Sequence, residues 1–337
     1  MVQLRDVARR LKLSITTVSR ALDGYDDVAE ATRTRVVRAA RQMGYTPRRA
    51  ARQLRRQRAD VIGYVLPASE GHFADSFFAE FIAGLGDGAV ALGFDLLVST
   101  AAPKSAAERQ IYCRWIQSSV VDGFILSRMR VGDWRVIHLA REGIPFVAHG
   151  RAQPRAMHPY IEVDSRAGFA QLVAHLAGRG FRRIAYVGAS PDIALQVERS
   201  AGYREGLEAA GIPFDDSLVL EGDLTRQGGY SAALRLLALP EPPTAIVGAN
   251  DLTAIGALRA AREKGLTAGR DIAIAGYDGT EESAHTQPPL TTLQQPIYET
   301  ARSLVHMLVA RIGGEGSLED PHVVLQPRLI IRESTGG

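Results

Sequence analysis

From residue 60 onward, short apolar runs alternate with stretches of helical periodicity of about 10–17 residues, a pattern typical of parallel sheets joined by helical crossovers. The strand-like runs are VIGYVLP, DLLVST, GFILS, PFVAHG, RIAYVG, AIVGAN and DIAIAGYD. Two sets of about five such units are too many for one compact core, so we predict an α/β region with two lobes. Two late segments, LTTLQQP and VVLQPRLIIRE, are predicted to cross between the lobes.

Polar and aromatic side chains follow several of these strands, where open α/β sheets bind their ligands. Carboxylates, an amide and an arginine can make paired hydrogen bonds to vicinal hydroxyls, and aromatic rings can cover the apolar face of a sugar or base. The candidate ligand-binding residues are Phe77, Phe78, His149, Arg151, Asp164, Arg199, Asn250 and Asp278. Structural alternatives remain open at three positions: Asp251 and Asp164 as helix caps, and Phe78 as a core residue.

Charge is distributed unevenly along the 337 residues. Residues 1–58 hold 15 Lys and Arg but only five Asp and Glu, a net charge of +10. The whole chain has a net charge of +3, which leaves −7 for the rest. A basic N-terminal segment on an acidic body indicates a polyanionic partner for that segment alone.

The basic segment also carries the pattern of three helices. An apolar face at helical spacing predicts a first helix that includes Leu4, Val7, Ala8 and Leu11. Ser14 is predicted to cap a second helix over about 15–22, and a third helix, about 30–43, is predicted to end at Gly44. Because only three residues separate the first two helices, we predict a helix-turn-helix.

The second helix is predicted to enter the major groove of DNA with its N-terminal residues at the base edges. Arg20 can donate two hydrogen bonds to guanine, Thr16 can bond to either kind of base edge atom, and Ile15 can contact a thymine methyl group. Contacts to phosphates, which position the protein without reading sequence, are predicted for Thr17, Ser19, Thr32 and Arg33. Ser14, the cap of this helix, completes the predicted DNA-facing set.

A short basic segment follows at residues 47–58. Pro47 suits the first turn of a helix, but about seven residues are too few to form a stable helix alone in water. Leu54 is a large apolar residue among arginines, which predicts a wedge inserted into a minor-groove base step. A flexible basic linker is the alternative interpretation.

Several of these segments resemble the LacI/GalR (lactose-repressor) family of transcriptional regulators. The matching stretches are LRDVARRLKLSITTVSRAL, TRTRVVRAARQMGYTPRRAARQL, RSAGYREGLEAAGI, GANDLTAIGALRAAREKGL, DIAIAGYDG and PPLTTLQQPIYE. The resemblance implies that Ile15, Thr16 and Arg20 select the operator and that Leu54 intercalates, with Arg48 and Ala51 in the same hinge. It also implies a two-lobed effector domain with the periplasmic-binding-protein (type I) fold.

By matching position, the resemblance places effector contacts at Phe77, Asp164, Arg199, Asn250 and Asp278. Leu224 lies where many members have a stacking aromatic residue, and Gly150 lies where many have an acid. A lost acid beside His149 and Arg151 suits an uncommon or partly anionic ligand. Two further departures are Ala29, which replaces a capping serine, and Arg48, which replaces a hinge asparagine.

The predicted fold is thus an all-α helix-turn-helix head followed by an α/β two-lobed, periplasmic-binding-protein-like effector domain. The predicted domains are a helix-turn-helix over 1–46, a hinge over 47–58, and an effector-binding and dimerisation domain over 59–337. Within that domain the predicted lobes are about 60–162 with 292–322, and about 163–291 with 323–337.

The leading hypothesis is a homodimeric DNA-binding transcriptional regulator, usually a repressor in this family. A sugar or sugar derivative, bound between the lobes, would control its affinity for a near-palindromic operator. A solute-binding protein for sugar transport and an enzyme on an α/β scaffold are the alternatives. The sequence shows no catalytic or cofactor motif, no metal-ligand spacing and no apolar run of about 18 residues that would span a membrane. A charged N-terminus and a single cysteine predict a cytoplasmic protein.

Overall fold

A computed structural model describes residues 2–22, 25–45, 58–67, 75–152, 158–314 and 322–336. The chain divides into two compact units, Met1–Asp60 and Val61–Gly337. The predicted hinge contacts Arg48, Ala51 and Leu54 lie outside the described residues.

The first unit contains the three predicted helices: α1 (Leu4–Leu11), α2 (Ile15–Leu22) and α3 (Glu30–Gln42). Small and β-branched apolar side chains from all three helices form one buried core that includes Val7, Val18 and Val36. The Ser14 hydroxyl accepts a hydrogen bond from the Thr17 amide at 2.9 Å, which confirms the predicted cap of α2. Ala29 provides no side-chain cap for α3.

The second unit contains two six-stranded sheets. The strands are β1 (Val61–Pro67), β2 (Asp95–Ala101), β3 (Gly123–Leu126), β4 (Phe146–His149), β5 (Tyr160–Val163), β6 (Ile184–Gly188), β7 (Val219–Glu221), β8 (Ala245–Gly248), β9 (Ala273–Asp278), β10 (Thr291–Gln294), β11 (His322–Leu325) and β12 (Arg328–Ile330). The first sheet has the order β11-β5-β4-β3-β1-β2, and the second has the order β12-β10-β9-β8-β6-β7. Every pair of strands is parallel except β10 and β12.

Helices cover both faces of each sheet, and each face forms its own apolar core. This double burial explains why the strands are almost continuously apolar rather than alternating. The helices are α4 (Ser76–Ala91), α5 (Ala106–Gln117), α6 (Trp134–Arg141), α7 (Ser165–Gly178), α8 (Ala194–Ala209), α9 (Arg226–Leu237), α10 (Asp251–Glu263), α11 (Glu281–Ala284) and α12 (Ile297–Gly313). In the described part of the chain, every helix is too short or too polar to cross a membrane.

Each sheet and its helices form one lobe, and both late segments cross between the lobes as predicted. The chain leaves the second sheet after β10, packs α12 against α4 in the first lobe, adds β11 to the first sheet and returns with β12. The crossings therefore follow Gln294 and Leu325, a few residues later than the boundaries predicted at 292 and 323. β7 was not predicted, because its three residues are too few to show a periodic pattern.

Candidate ligand cavity and nucleic-acid interface

A cavity of about 320 Å³ lies between the two lobes, at the carboxyl ends of their parallel strands. It brings together residues that are far apart in the sequence, from the first lobe and the second. Eight of the nine predicted ligand-binding residues line it: Phe77, His149, Arg151, Asp164, Arg199, Leu224, Asn250 and Asp278.

Asp278 is a buried carboxylic acid at the end of β9. Its φ is 119°, a conformation that non-glycine residues rarely adopt and that is typical of functional sites. Gln295 Nε2 donates to its Oδ1 atom at 2.6 Å. Burial raises its pKa well above the ordinary value, and Asp251 and Asp75 add to that rise, whereas Arg199 opposes it.

Arg199 is buried beside Asp278, with 5% of its surface exposed. Its guanidinium lies 4.0 Å from the centre of the Tyr277 ring and donates to the Ala249 carbonyl oxygen. Within the described residues, its Nε atom has no hydrogen-bond partner. A buried N–H without a partner is costly, and Arg199 is one of the residues that line the cavity.

The two acids predicted as possible helix caps, Asp164 and Asp251, differ in their roles. Asp164 does cap its own helix, since its Oδ1 atom accepts from the Ala167 amide at 2.9 Å, and it also lines the cavity. Asp251 does not cap α10. Asn250 is the cap and accepts from the Thr253 amide at 3.0 Å, because it is the last residue before the helical turn.

Asp251 is instead the first residue of α10 and is fully buried. Its carboxylate accepts hydrogen bonds from the hydroxyls of Thr280 and Thr292, at 2.9 and 2.6 Å. These bonds connect the end of β8 to the segments around β9 and β10, and so hold the strand ends that carry the cavity residues.

One wall of the cavity is apolar. The Phe77 ring stacks on Phe81, with 5.7 Å between ring centres, and lies 5.8 Å from the His149 ring. Burial and the Arg199 charge lower the pKa of His149 to about 4, so this imidazole is neutral near pH 7. Leu224 is buried with a φ of 65°.

Arg151 does not give the cavity an excess of positive charge. Its guanidinium pairs with Glu162 of the first lobe and with Glu198 of the second, both at 3.2 Å. Four arginines and four acidic residues line the cavity in total. The expectation of a partly anionic ligand rested on the lost acid at Gly150 and on Arg151 as an added cation, and these pairs remove the second of the two grounds.

Phe78 does not line this cavity, and its alternative interpretation as a core residue is the better description. It is 6% exposed and packs edge-on against Phe77 within the first lobe. It also borders a second cavity of about 200 Å³.

Arg128 lines both cavities, although it was not among the predicted ligand-binding residues. Its guanidinium pairs with Asp75 at 3.2 Å and lies 5.0 Å from the centre of the Phe78 ring. It comes two residues after β3 ends. The rule that ligands bind beyond strand ends would have found it if applied to GFILS as well.

The first unit exposes part of the face predicted to contact DNA. Ile15 is 53% exposed, Thr16 is also exposed, and the Arg20 side chain is 42% exposed. Ser19 contradicts the prediction, since it is only 5% exposed and directly follows Val18, a core residue of α2.

The four other predicted DNA-facing residues differ in the hydrogen bonds and ion pairs that they form within the first unit. Ser14 and Thr17 bond to each other through their hydroxyls at 2.8 Å. Thr32 is partly exposed. Arg33 is bound within the unit, because it pairs with Glu30 at 2.8 Å and donates to the Tyr25 carbonyl oxygen at 2.8 Å.

Comparison with known proteins shows which family combines a helix-turn-helix with a domain of this kind. The family described as "Bacterial regulatory proteins, lacI family" matches residues 3–48, and "Periplasmic binding protein-like domain" matches residues 173–335. HTH-type transcriptional regulator CelR of Thermobifida fusca is 35% identical over 321 residues, which are 94% of either chain. The chain belongs to the LacI family. HTH-type transcriptional repressor CytR of Escherichia coli (strain K12) is 32% identical over 98% of this LacI-family chain and 96% of CytR.

Solved structures agree with the fold of this LacI-family protein. The lac repressor dimer bound to operator and the anti-inducer ONPF has a TM-score of 0.84 at 27% identity, covering 99% of both chains. The CelR–cellobiose complex has a TM-score of 0.77 at 33% identity, covering 99% of this chain and 100% of CelR. The protein is therefore a DNA-binding transcriptional regulator with a periplasmic-binding-protein-like effector domain. Its relatives are regulators rather than enzymes.

Proposed function

We propose that this LacI-family regulator is a repressor whose operator affinity is controlled by a neutral sugar bound in the cavity between the lobes. The observation that carries the proposal is the composition of that cavity. Buried hydrogen-bonding groups on Arg199, Asn250 and Asp278 face an apolar wall that includes Phe77, and arginines and acidic residues line the cavity in equal number.

A sugar ring needs the two kinds of surface that this cavity combines. Its vicinal hydroxyls bond to carboxylate and guanidinium groups, and its apolar face packs on an aromatic ring. Arg199 Nε supplies a buried donor without a partner in the described part of the chain. Because His149 is neutral near pH 7, it adds hydrogen-bonding capacity without charge.

The second cavity favours an effector with more than one sugar ring. Arg130, which is 6% exposed, lines it together with Arg128. Within the described residues, Arg130 Nη1 has no hydrogen-bond partner, and the Glu108 carboxylate lies 3.7 Å away. A hydroxyl of a second ring would satisfy this donor. The relative CelR was solved with cellobiose, a sugar of two rings.

Control of DNA binding follows from linkage. A sugar changes operator affinity only if it binds the DNA-competent and DNA-incompetent conformations with different affinities. We propose a homodimer in which each helix-turn-helix reads one half of a near-palindromic operator, because the similar lac repressor was solved as a dimer bound to its operator.

The test uses full-length protein and an operator selected from a random duplex pool. Fluorescence anisotropy then measures operator affinity with cellobiose, glucose, cytidine or adenosine. We expect a sugar to change the operator Kd by roughly 5–150-fold, the range typical of allosteric coupling, and nucleosides to leave it unchanged.

The matched variant is Arg199→Met, which keeps an unbranched chain as far as the position of Nε but removes all the donors. It should bind the operator like the unaltered protein and no longer respond to the sugar. A nucleoside response without a sugar response, or an unaltered sugar response in Arg199→Met, would contradict the proposal.

A further inference from the structure

The Arg20 side chain is held in place by two residues of the turn that follows α2. Its Nε atom donates to Asp27 Oδ1 at 3.1 Å, and its Nη2 atom lies 2.5 Å from Asp27 Oδ2. Its guanidinium carbon also lies 4.7 Å from the centre of the Tyr25 ring. The arginine is thus paired along one edge and stacked on one face.

The turn itself is anchored on both sides. The Tyr25 amide donates to the Arg20 carbonyl oxygen at 3.1 Å, which brings the turn back toward α2. Arg33 of α3 donates to the Tyr25 carbonyl oxygen at 2.8 Å. Val28, the residue after Asp27, is buried in the core of the unit. These contacts fix the backbone that carries Tyr25 and Asp27.

The pairing with Asp27 leaves the outer end of the guanidinium available. The group has five N–H donors in a planar fork, and Asp27 engages the edge formed by Nε and one side of Nη2. The other edge, formed by Nη1 and the second side of Nη2, keeps two parallel donors. Two parallel donors match O6 and N7 of guanine in the major groove.

We propose that Asp27 and Tyr25 are positioning residues that hold Arg20 in the orientation that reads a guanine. The inference rests on the proposed role of Arg20 as a base reader. The pair is exposed at 42% and 56% of its side-chain surfaces, so it contributes little to folding. The pair instead orders the long Arg20 side chain before DNA binds, which reduces the conformational entropy lost on binding.

The proposal predicts two opposite effects of removing the Asp27 charge. Asp27→Asn makes the protein more basic, so affinity for DNA of any sequence should rise. The same change removes one of the two carboxylate acceptors that hold Arg20, so discrimination at the guanine should fall. A role in folding alone would not separate overall affinity from base discrimination.

The experiment measures the operator Kd of the full chain at fixed salt with three duplexes. One carries the G·C pair assigned to Arg20 by the loss of discrimination in Arg20→Ala, one carries A·T there, and one carries 7-deazaguanine, which lacks the N7 acceptor. Arginine contacts of this kind discriminate by roughly 5–150-fold. We expect Asp27→Asn and Tyr25→Ala to reduce this ratio at least fivefold.

Asp26→Asn is the matched control, because Asp26 is an exposed residue next to Asp27 and the substitution removes the same charge. It should raise affinity for all three duplexes and leave their ratios unchanged. Unaltered ratios in Asp27→Asn would overturn the positioning role while Arg20 remained the reader. If Arg20→Ala changed no ratio at any base pair, both the reader and its positioning residues would be rejected.

Discussion

Asp251 and Asp278 lie at the ends of neighbouring strands, β8 and β9, and place two carboxylates in the protein interior. Burial raises the pKa of Asp251 to about 6, although hydrogen bonds from Thr292 and Thr280 partly offset the rise. Asp251 therefore retains its proton at mildly acidic pH, and no negative charge is buried at this position there.

A pH dependence of stability follows from Asp251. In the unfolded chain an aspartate ionises near its ordinary pKa of about 3.9, whereas in the folded protein it holds its proton up to about pH 6. Its contribution to stability is complete below about pH 4 and is lost as the pH rises through 6. The urea midpoint, measured between pH 4 and 7, should fall less steeply in Asp251→Asn. The control is Asp216→Asn, at an exposed position, and an equal pH slope in Asp251→Asn would contradict the assignment.

At the level of elements, α9 and α10 pack closely because glycines lie at their contact. A Cβ on Gly256 would lie 2.1 Å from the Arg226 carbonyl oxygen, and a Cβ on Gly229 would lie 2.2 Å from that of Thr253. Real Cβ atoms do not approach backbone so closely, so the two helices would have to separate.

Gly256→Ala should therefore destabilise the effector domain, despite the higher helix propensity of alanine. Overpacking of this kind costs about 1–3 kcal/mol of unfolding free energy. Gly178→Ala is the matched control, because its Cβ would meet nothing within 4 Å. Differential scanning calorimetry should show a lower melting temperature for Gly256→Ala than for Gly178→Ala. Equal melting temperatures would show that the helices shift apart at no cost.

The sequence predicts a structural feature well when residues nearby in the chain determine it, and poorly when tertiary contacts determine it. The Ser14 cap and the apolar runs of β1 and β9 are set by neighbouring residues, and they were predicted. The burial of Ser19 depends on where α1 and α3 lie, and the pairing of Arg151 with Glu198 depends on contact between the lobes. Neither can be read from periodicity. The positions of residues such as Asp278 could be predicted because strand ends converge in any parallel sheet.

At the level of the effector domain, the two lobes are joined across the cavity by contacts that differ in kind. The Ala194 amide of the second lobe donates to the Met129 carbonyl oxygen of the first at 2.9 Å, and the Val131 amide donates to that of Asp192 at 3.0 Å. Lys104 pairs with Asp192, and Arg151 pairs with Glu198. The lobes are thus held together at the cavity by their own residues.

Weakening one of these contacts should shift the domain toward an open cleft and so reduce effector affinity. The Lys104 and Asp192 side chains are 61% and 36% exposed, and a pair of this kind contributes up to about 1 kcal/mol, or about fivefold in a population ratio. If binding requires the closed form, the apparent Kd rises as the closed fraction falls. Lys104→Ala should therefore weaken effector binding by up to about fivefold in isothermal titration calorimetry.

The matched control is Arg270→Ala, which breaks an exposed ion pair with Asp271 inside the second lobe. It should leave effector affinity unchanged. Small-angle X-ray scattering separates opening from a lost ligand contact, because only opening enlarges the protein when no ligand is present. An effector affinity that falls in Lys104→Ala without any such enlargement would assign Lys104 to the ligand rather than to the closure of the lobes. Unaltered affinity and size together would mean that the backbone bonds at Met129 and Val131 are sufficient to hold the cleft closed.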